Sequence, residues 1–296
     1  MSVLQFNDIR RAYRKGDYVL DGVSFDVAQG EVVGLLGRNG AGKTTLIRIA
    51  MGMIEPQHGE VRVFGLDPSR DPLAVKRRIG YVSEEQILPG FMSIGDVIRL
   101  HRSLFPEWDD LMAEGLCDRY QLDWDKKIKS LSKGQARQVA LLCAVSHKPE
   151  LLVLDEPAGG LDPAARRDFL ETSIQLLNEA GSTILFSSHH MSDVERMAGR
   201  VVMLHDGHVL LDDSLDEMQE NFSLAIVPHA EGRTAALQAM PECLGVRDRI
   251  EGLHAVIRLD PERARAAVES HLRIGEGRYD RLGLEEMFIE IAEGQS

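Results

Sequence analysis

The pattern of apolar and polar positions divides the chain into alternating strand-like and helix-like stretches. From Val3 to Val27 it predicts two short strands around the polar turn Arg14-Lys15-Gly16-Asp17, and Glu31 to Leu36 is a compact apolar run typical of a buried strand. After it, Thr45-Leu46-Ile47-Arg48-Ile49-Ala50-Met51 has helical character. Between about 86 and 140, Ile94, Val97, Ile98, Leu104, Leu111, Leu116 and Leu122 recur at helical spacing, with turn signals at Pro89-Gly90 and Pro106; the expectation is an inserted helical subdomain. Strands return at 151–154, 183–186, 201–204 and 209–211, and a helix over 163–180 separates the first two. That helix has Asp162 as candidate N-cap, Pro163 at its first position, Gly181 as terminator and an apolar stripe of Leu170, Ile174 and Leu177. Strand, helix, strand at this spacing implies a parallel sheet and an α/β fold.

Beyond about Asn221 the pattern changes. Leu253, Ala255, Ile257 and Leu259 alternate as in a strand, and Leu284, Met287, Phe288 and Ile291 form a helical stripe, so residues 221–296 are expected to form a small α+β domain after a larger one over 1–220. The length of 296 residues, 44% hydrophobic and 27% charged, has room for both. A formal charge of −13 argues against nonspecific nucleic-acid binding, which needs a basic face, and no nucleic-acid partner is expected. Cys117, Cys143 and Cys243 lie far apart without a Cys-x-x-Cys pair, as free thiols of a reducing compartment would. The first residues lack the basic and apolar regions of a secretory signal. No stretch reaches the roughly 18 apolar residues that span a bilayer. A membrane process would therefore require a second polypeptide.

Chemistry enters at Gly37-Arg38-Asn39-Gly40-Ala41-Gly42-Lys43-Thr44. A triphosphate concentrates negative charge; Gly37, Gly40 and Gly42 let main-chain N–H groups approach it, and the following helix start adds a favourable dipole. Lys43 is expected to reach the β- and γ-phosphates, and Thr44 to place its hydroxyl on Mg²⁺, with Asn39, Ala41 and Thr45 completing the loop. A dinucleotide fold would also have a glycine-rich turn, but would not call for the Lys-Thr pair. The second acidic element, Asp155-Glu156, ends the apolar run Leu151–Leu154. Its first carboxylate suits a magnesium role and its second can polarise an attacking water.

Between these two elements lies Leu131-Ser132-Lys133-Gly134-Gln135. Read from its residues alone, Ser132-x-x-Gln135 is a helix capping box. In that order and setting, however, the three motifs together resemble the nucleotide-binding subunit of an ATP-binding cassette (ABC) transporter, over roughly residues 1–215. The resemblance implies a P-loop NTPase fold: a RecA-like core with a parallel sheet, an antiparallel β-subdomain and the inserted helical subdomain. It implies ATP as substrate with Mg²⁺, and two subunits sandwiching two ATP molecules, so that Ser132, Gly134 and Gln135 of one face the γ-phosphate held by the other. Lys133 departs from the commoner Leu-Ser-Gly-Gly-Gln form.

Other positions acquire roles by the same resemblance. Tyr13 stands where an aromatic ring would stack on adenine, the alternative being ordinary packing. Glu84, after Ile79-Gly80-Tyr81-Val82-Ser83, replaces the usual glutamine of the Q-loop; it is either a magnesium-side carboxylate or half of a solvated pair with Glu85. Gly160-Leu161-Asp162 occupies the D-loop position at the dimer interface, and Asp162 doubles as the N-cap already noted. In Ser187-Ser188-His189-His190 the switch histidine is His189, which with Glu156 would position the hydrolytic water. Glu84, Phe105-Pro106-Glu107-Trp108-Asp109 and Leu284-Glu285-Glu286-Met287-Phe288 are similar to exporter-type bacterial subunits, antibiotic-resistance exporters among them. The implied function is an ATPase on the cytoplasmic face of the cell membrane, working as a homodimer or with a paralogue. It would drive a separately encoded permease that exports a drug, peptide or lipid-like compound. The alternatives are a soluble ABC ATPase acting on ribosome or DNA, and a regulatory ATP-binding module.

Overall fold

The computed structural model describes residues 1–14, 16–85, 88–161, 163–180 and 183–294. The expected roles of Lys15 in a turn, of Asp162 as N-cap and D-loop residue and of Gly181 as terminator fall outside the described residues, as does the side chain of Leu177.

The chain opens with β1 (Ser2–Arg14) and β2 (Asp17–Ala28), continues through β3 (Val32–Leu36) and α1 (Lys43–Ala50), and reaches β4 (His58–Val63), α2 (Pro72–Lys76) and β5 (Ile79–Val82). Strands β2, β1 and β4 make an antiparallel three-stranded sheet in that order. The first two strands are long, 13 and 12 residues, where the pattern predicts short ones. Their pairing shifts register at several points between Ser2 and Arg14, and each irregularity breaks the two-residue alternation by which a strand is recognised.

The helical insertion comprises α3 (Ile94–Leu104), α4 (Asp110–Arg119), a single 3₁₀ turn and α5 (Lys133–Val145). Helix α3 begins with a capping box of Ser93 and Asp96, and α5 with one of Ser132 and Gln135, so the predicted box is present. Ile94, Val97, Ile98, Leu116 and Leu122 are buried together with Val139 and Leu142 of α5. Leu104 and Leu111 share the helical spacing but are 58% and 82% exposed, lying at the end of α3 and the start of α4.

The remaining elements are β6 (Leu151–Asp155), α6 (Pro163–Ala180), β7 (Thr183–Ser188), α7 (Met191–Met197), β8 (Arg200–His205) and β9 (His208–Ser214). They complete a six-stranded sheet ordered β5-β6-β7-β3-β8-β9. Strands β6 and β7 are buried at every residue, as central strands of a parallel sheet covered on both faces must be. The sheet is not wholly parallel: β9 runs antiparallel to β8. The connection is the two-residue loop Asp206-Gly207, both at positive φ (45° and 79°), the geometry of a tight hairpin turn.

After α8 (Leu215–Glu220) the chain forms β10 (Ser223–Val227), α9 (Arg233–Gln238), β11 (Cys243–Arg249), β12 (Gly252–Ile257), α10 (Pro261–Leu272), β13 (Arg278–Arg281) and α11 (Leu284–Gly294). This small C-terminal α+β domain is an antiparallel sheet ordered β11-β12-β10-β13. One face packs Ala225, Val246 and Ala255 against α9 and α10 through Leu237, Ala264 and Val268. On the other face Leu224 and Val256 meet Leu284, Met287, Phe288 and Ile291 of α11, and this cluster runs on into the main core at Met197, Met203 and Phe222. Strand β12 is therefore buried on both faces, not on the single alternating stripe of Leu253, Ala255 and Ile257.

Candidate functional site

The loop between β3 and α1 is held from below. Gly37 N–H donates to Ser188 O at 3.4 Å and Ala41 N–H to Arg38 O at 3.2 Å. A Cβ on Gly37 would sit 2.6 Å from Leu204 O, and Gly42, at φ 104°, would bring one to 2.5 Å from Leu20 Cδ2. Gly40 has φ 90° but no atom within 4 Å of that position, so the loop presents open space there. A cleft of about 540 Å³ lies over the loop, lined by Tyr13, Val19, Arg38, Asn39, Gly40, Gly42, Lys43, Thr44, Thr45, Arg48, Glu84 and Glu156. Most of the residues singled out from the sequence thus converge on one cavity. Ala41 is buried beneath it, and Tyr13 stands at its rim, 55% exposed, with Oη 3.4 Å from Thr45 Oγ1.

The acidic pair diverges: Glu156 lines this cleft, whereas Asp155 lines a neighbouring one. Asp155 is 1% exposed; Thr44 Oγ1 donates to its Oδ1 at 3.2 Å and Ser187 Oγ donates to the same oxygen at 2.7 Å. Burial pushes the Asp155 carboxyl up from its ordinary range, against the opposing pull of those two hydroxyls. Glu156, one residue on, takes the left-handed backbone at φ 46°, a strained state for a side-chain-bearing residue that costs about 1–3 kcal/mol and persists only where its surroundings enforce it. They do: its N–H donates to Ser187 Oγ at 2.8 Å, and its carbonyl accepts from Arg137 Nη1 at 2.8 Å and from Gly159 N–H at 3.0 Å. The turn aims the carboxylate away from Asp155 and into the cleft.

There Glu156 Oε2 lies 2.8 Å from His189 Nδ1 and Oε1 lies 3.2 Å from Lys43 Nζ. The Lys43 ammonium also donates to Gly37 O at 2.7 Å and to Arg38 O at 3.3 Å. Oε1 is buried and receives no aligned hydrogen bond from the described residues, so one carboxylate oxygen remains able to accept from a water or another donor in the cleft. His189 and His190 rings are 3.9 Å apart, and burial with the nearby Arg166 charge lowers the His190 pKa; only His189 meets Glu156.

The residues present suit a magnesium-bound nucleotide. Lys43 and the glycine loop offer positive charge and open main chain, while Thr44 and Asp155 are hard oxygen donors side by side. Among the described residues no cluster of three or more His, Cys, Asp or Glu side chains could hold a metal alone. Glu84 is exposed and lines both this cleft and a second one of about 680 Å³ between the sheet and the helical insertion. Ser132, Gly134 and Gln135 do not line this cleft; they lie at the start of α5, where Ser132 and Gln135 form its capping box, with Ser132 exposed.

Two contributors were not singled out from sequence. Ser187 donates to the Asp155 carboxylate and accepts the Glu156 main-chain N–H because the parallel register sets Asp155 opposite it. Arg137 is 5% exposed and reaches the carbonyls of Glu156, Pro157 and Glu84. The available signals were a hydroxyl following the apolar run Ile184-Leu185-Phe186, and a cation on the apolar face of a helix.

Relatives share this architecture. The ABC transporter family profile matches residues 20–159. The daunorubicin resistance ATP-binding protein DrrA3 of Streptomyces coeruleorubidus is 31% identical over 94% of this chain and 92% of its own. The ABC transporter ATP-binding protein YtrB of Bacillus subtilis is 33% identical over 70% of each chain. Among solved structures, an ATP-binding subunit of an ABC transporter superposes with a TM-score of 0.66 at 29% identity, covering 74% of this chain and 92% of that one. A dimeric bacterial ABC transporter cassette gives 0.64 at 23% identity over 72% and 98%. With its glycine loop, paired acids and sheet order, the chain belongs to the ABC transporter family, as an ATP-binding subunit with ATPase activity.

Proposed function

We propose that this chain is the ATP-hydrolysing subunit of an exporter whose membrane-spanning part is a separate polypeptide, with residues 1–220 as the ATPase unit and 221–296 as an accessory unit. Two copies, or this chain and a paralogue, close on two ATP molecules; Ser132, Gly134 and Gln135 of each reach the nucleotide lying on the other's loop. Their place outside the cleft, at the N-terminus of α5, supports this reading, since a helix start favours an anion. Tyr13 stacks on the base, the loop from Gly37 to Thr45 holds the phosphates, and Lys43 neutralises their charge. Thr44 and Asp155, with Glu84 at the edge, would hold Mg²⁺, which when bound screens the phosphate charge. Glu156 takes a proton from the attacking water, and His189 orients that carboxylate.

The observation that carries the proposal is the Glu156 carboxylate fixed between Lys43 and His189 with one buried oxygen still able to accept. The second cleft, with Met53 and Leu104 exposed beside Leu88 and Phe105, supports docking of the membrane partner against the helical insertion. Among the described residues no helix is long and apolar enough to cross a membrane. Export of a drug, peptide or lipid-like compound is supported by likeness to DrrA3, whose name assigns it to daunorubicin resistance.

The test is affinity purification of the parent and of Glu156→Gln from detergent-solubilised membranes, with and without ATP. The expected result is an accompanying integral membrane protein, and an ATP-stabilised dimer of Glu156→Gln without turnover. Parental hydrolysis by that variant would overturn the role of Glu156, and absence of any integral membrane protein would overturn the exporter.

A further inference from the structure

The guanidinium of Arg137 is enclosed in the protein and meets main chain instead of carboxylates. Nη1 donates to Glu156 O at 2.8 Å and to Pro157 O, and Nη2 donates to Glu84 O at 3.2 Å. Desolvation lowers its pKa, the charges of Glu84 and Glu156 opposing this, yet an arginine in a protein stays protonated. A buried cation spent on carbonyls has no evident value as an ion pair. Its value lies in which carbonyls it takes: Glu156 carries the left-handed φ of 46°, and while Arg137 holds its carbonyl, Ser187 holds its N–H on the other side of the same Cα. Relaxation of Glu156 towards an ordinary backbone would swing its side chain out of the gap between Lys43 and His189.

We propose that Arg137 is a positioning residue for ATP hydrolysis: by gripping the main chain of Glu156 and Pro157 from α5, it holds the Glu156 carboxylate in its strained, cleft-facing orientation. This rests on the reading of Glu156 as the group that accepts the water proton. Arg137 does not line the nucleotide cleft, so its removal is predicted to act on the chemical step and not on ATP affinity.

The experiment measures steady-state Mg-ATP hydrolysis and equilibrium ATP binding for the full chain, Arg137→Met, Arg137→Lys, Glu156→Gln and the double variant Glu156→Gln/Arg137→Met. Arg137→Met is expected to lower kcat about 100-fold, the loss typical of a reacting group displaced by about 1 Å, with KM and ATP affinity within about threefold of the parent. Arg137→Lys keeps the charge but not the fork, and is expected to recover part of the loss, to about 10-fold below parent. In the Glu156→Gln background, which has no turnover to lose, the methionine is expected to leave ATP affinity within about threefold, because the group it misplaces is already gone. Should Arg137→Met fail to bind ATP through misfolding, Arg137→Lys decides: kcat within threefold of parent overturns the proposal. So does a 100-fold loss of ATP affinity in the double variant relative to Glu156→Gln, which would mean an effect on binding that does not pass through the Glu156 carboxylate. Parental turnover by Glu156→Gln alone would overturn the reading of Glu156 and this role with it. Parental turnover by Arg137→Met beside an inactive Glu156→Gln would overturn only the role of Arg137.

Discussion

Replacing Ser187 by alanine removes two hydrogen bonds made by one atom. Its hydroxyl donates to Asp155 Oδ1 at 2.7 Å and accepts the Glu156 N–H at 2.8 Å, in a residue with no exposed surface. A bond to an ionised group contributes about 1.5–3 kcal/mol, and a buried N–H left without an acceptor costs about 1–3 kcal/mol. The two losses fall on neighbouring residues of one network and will not simply add, so we expect a destabilisation of about 3 kcal/mol. That is a large part of the roughly 5–15 kcal/mol by which a folded domain exceeds its unfolded state. The penalty also has a pH sign. Asp155 keeps its proton to higher pH in the folded than in the unfolded chain because it is buried, so its contribution to stability is present at low pH and lost as pH rises through the folded pKa. Ser187 moderates that loss by favouring the charged form; without it the folded pKa moves further up. The penalty of Ser187→Ala should therefore be larger at pH 8 than at pH 5. Urea unfolding of parent and variant at both values, compared at common slope, measures it. A loss below about 1 kcal/mol at pH 8, or a larger loss at pH 5, would refute the reasoning.

His147, 4% exposed, stacks on Phe105 at 4.0 Å, and burial lowers its pKa despite carbonyl contacts to Ile79 at 3.1 Å and Cys143 at 3.4 Å. It is neutral where the unfolded chain would be charged, so stability present above about pH 6.5 falls as pH drops through the unfolded value towards the folded one, by about 1.4 kcal/mol per unit of difference. Melting temperatures from pH 8 to 5 should fall more steeply for the parent than for His147→Gln, and parallel curves would refute this. Gly40→Ala and Gly42→Ala separate strain from contact, since both have positive φ but only Gly42 is closely packed, with Val19 O 2.8 Å and Leu20 Cδ2 2.5 Å from a new Cβ. Both variants should lose ATP affinity by at least about 10-fold in equilibrium titration, with only backbone strain of about 1–3 kcal/mol for Gly40→Ala and a greater loss for Gly42→Ala; equal unfolding midpoints would contradict the packing at Gly42.

The glycine loop and the acidic pair were legible because their pattern is local. The loop from Gly37 to Thr44 is one strand end and one helix start, and Asp155-Glu156 closes one apolar strand, so residue type and immediate context place them. The six-stranded sheet was only partly legible: alternation of strand and helix predicts parallel neighbours, whereas β9 is turned back by Asp206-Gly207, a dipeptide whose two positive φ angles favour a hairpin. Strands β4, β11 and β13 are mixed in polarity and β5 has only four residues, whereas β10 holds the apolar run Leu224–Val227, a signal that was present and not used.

What local reading could not reach is the support beneath the acids, because it is made by residues distant in sequence. Ser187 lies 32 positions from Asp155 and meets it only through the register of β6 on β7. Arg137 reads as an ordinary helix-surface arginine until its companions are placed: Leu141 and Ala144, one and two turns on, are both buried, so the arginine heads an apolar stripe. A cation on such a stripe must be desolvated, and desolvation is tolerated only where acceptors converge. The acceptors are the carbonyls on either side of Pro157's peptide bond to Glu156 and that of Glu84. A residue whose local setting contradicts its polarity therefore marks the place where the strained backbone of Glu156 is held. The same contradiction in Ser187, a hydroxyl in a wholly buried strand, marks where the N–H of Glu156 is held.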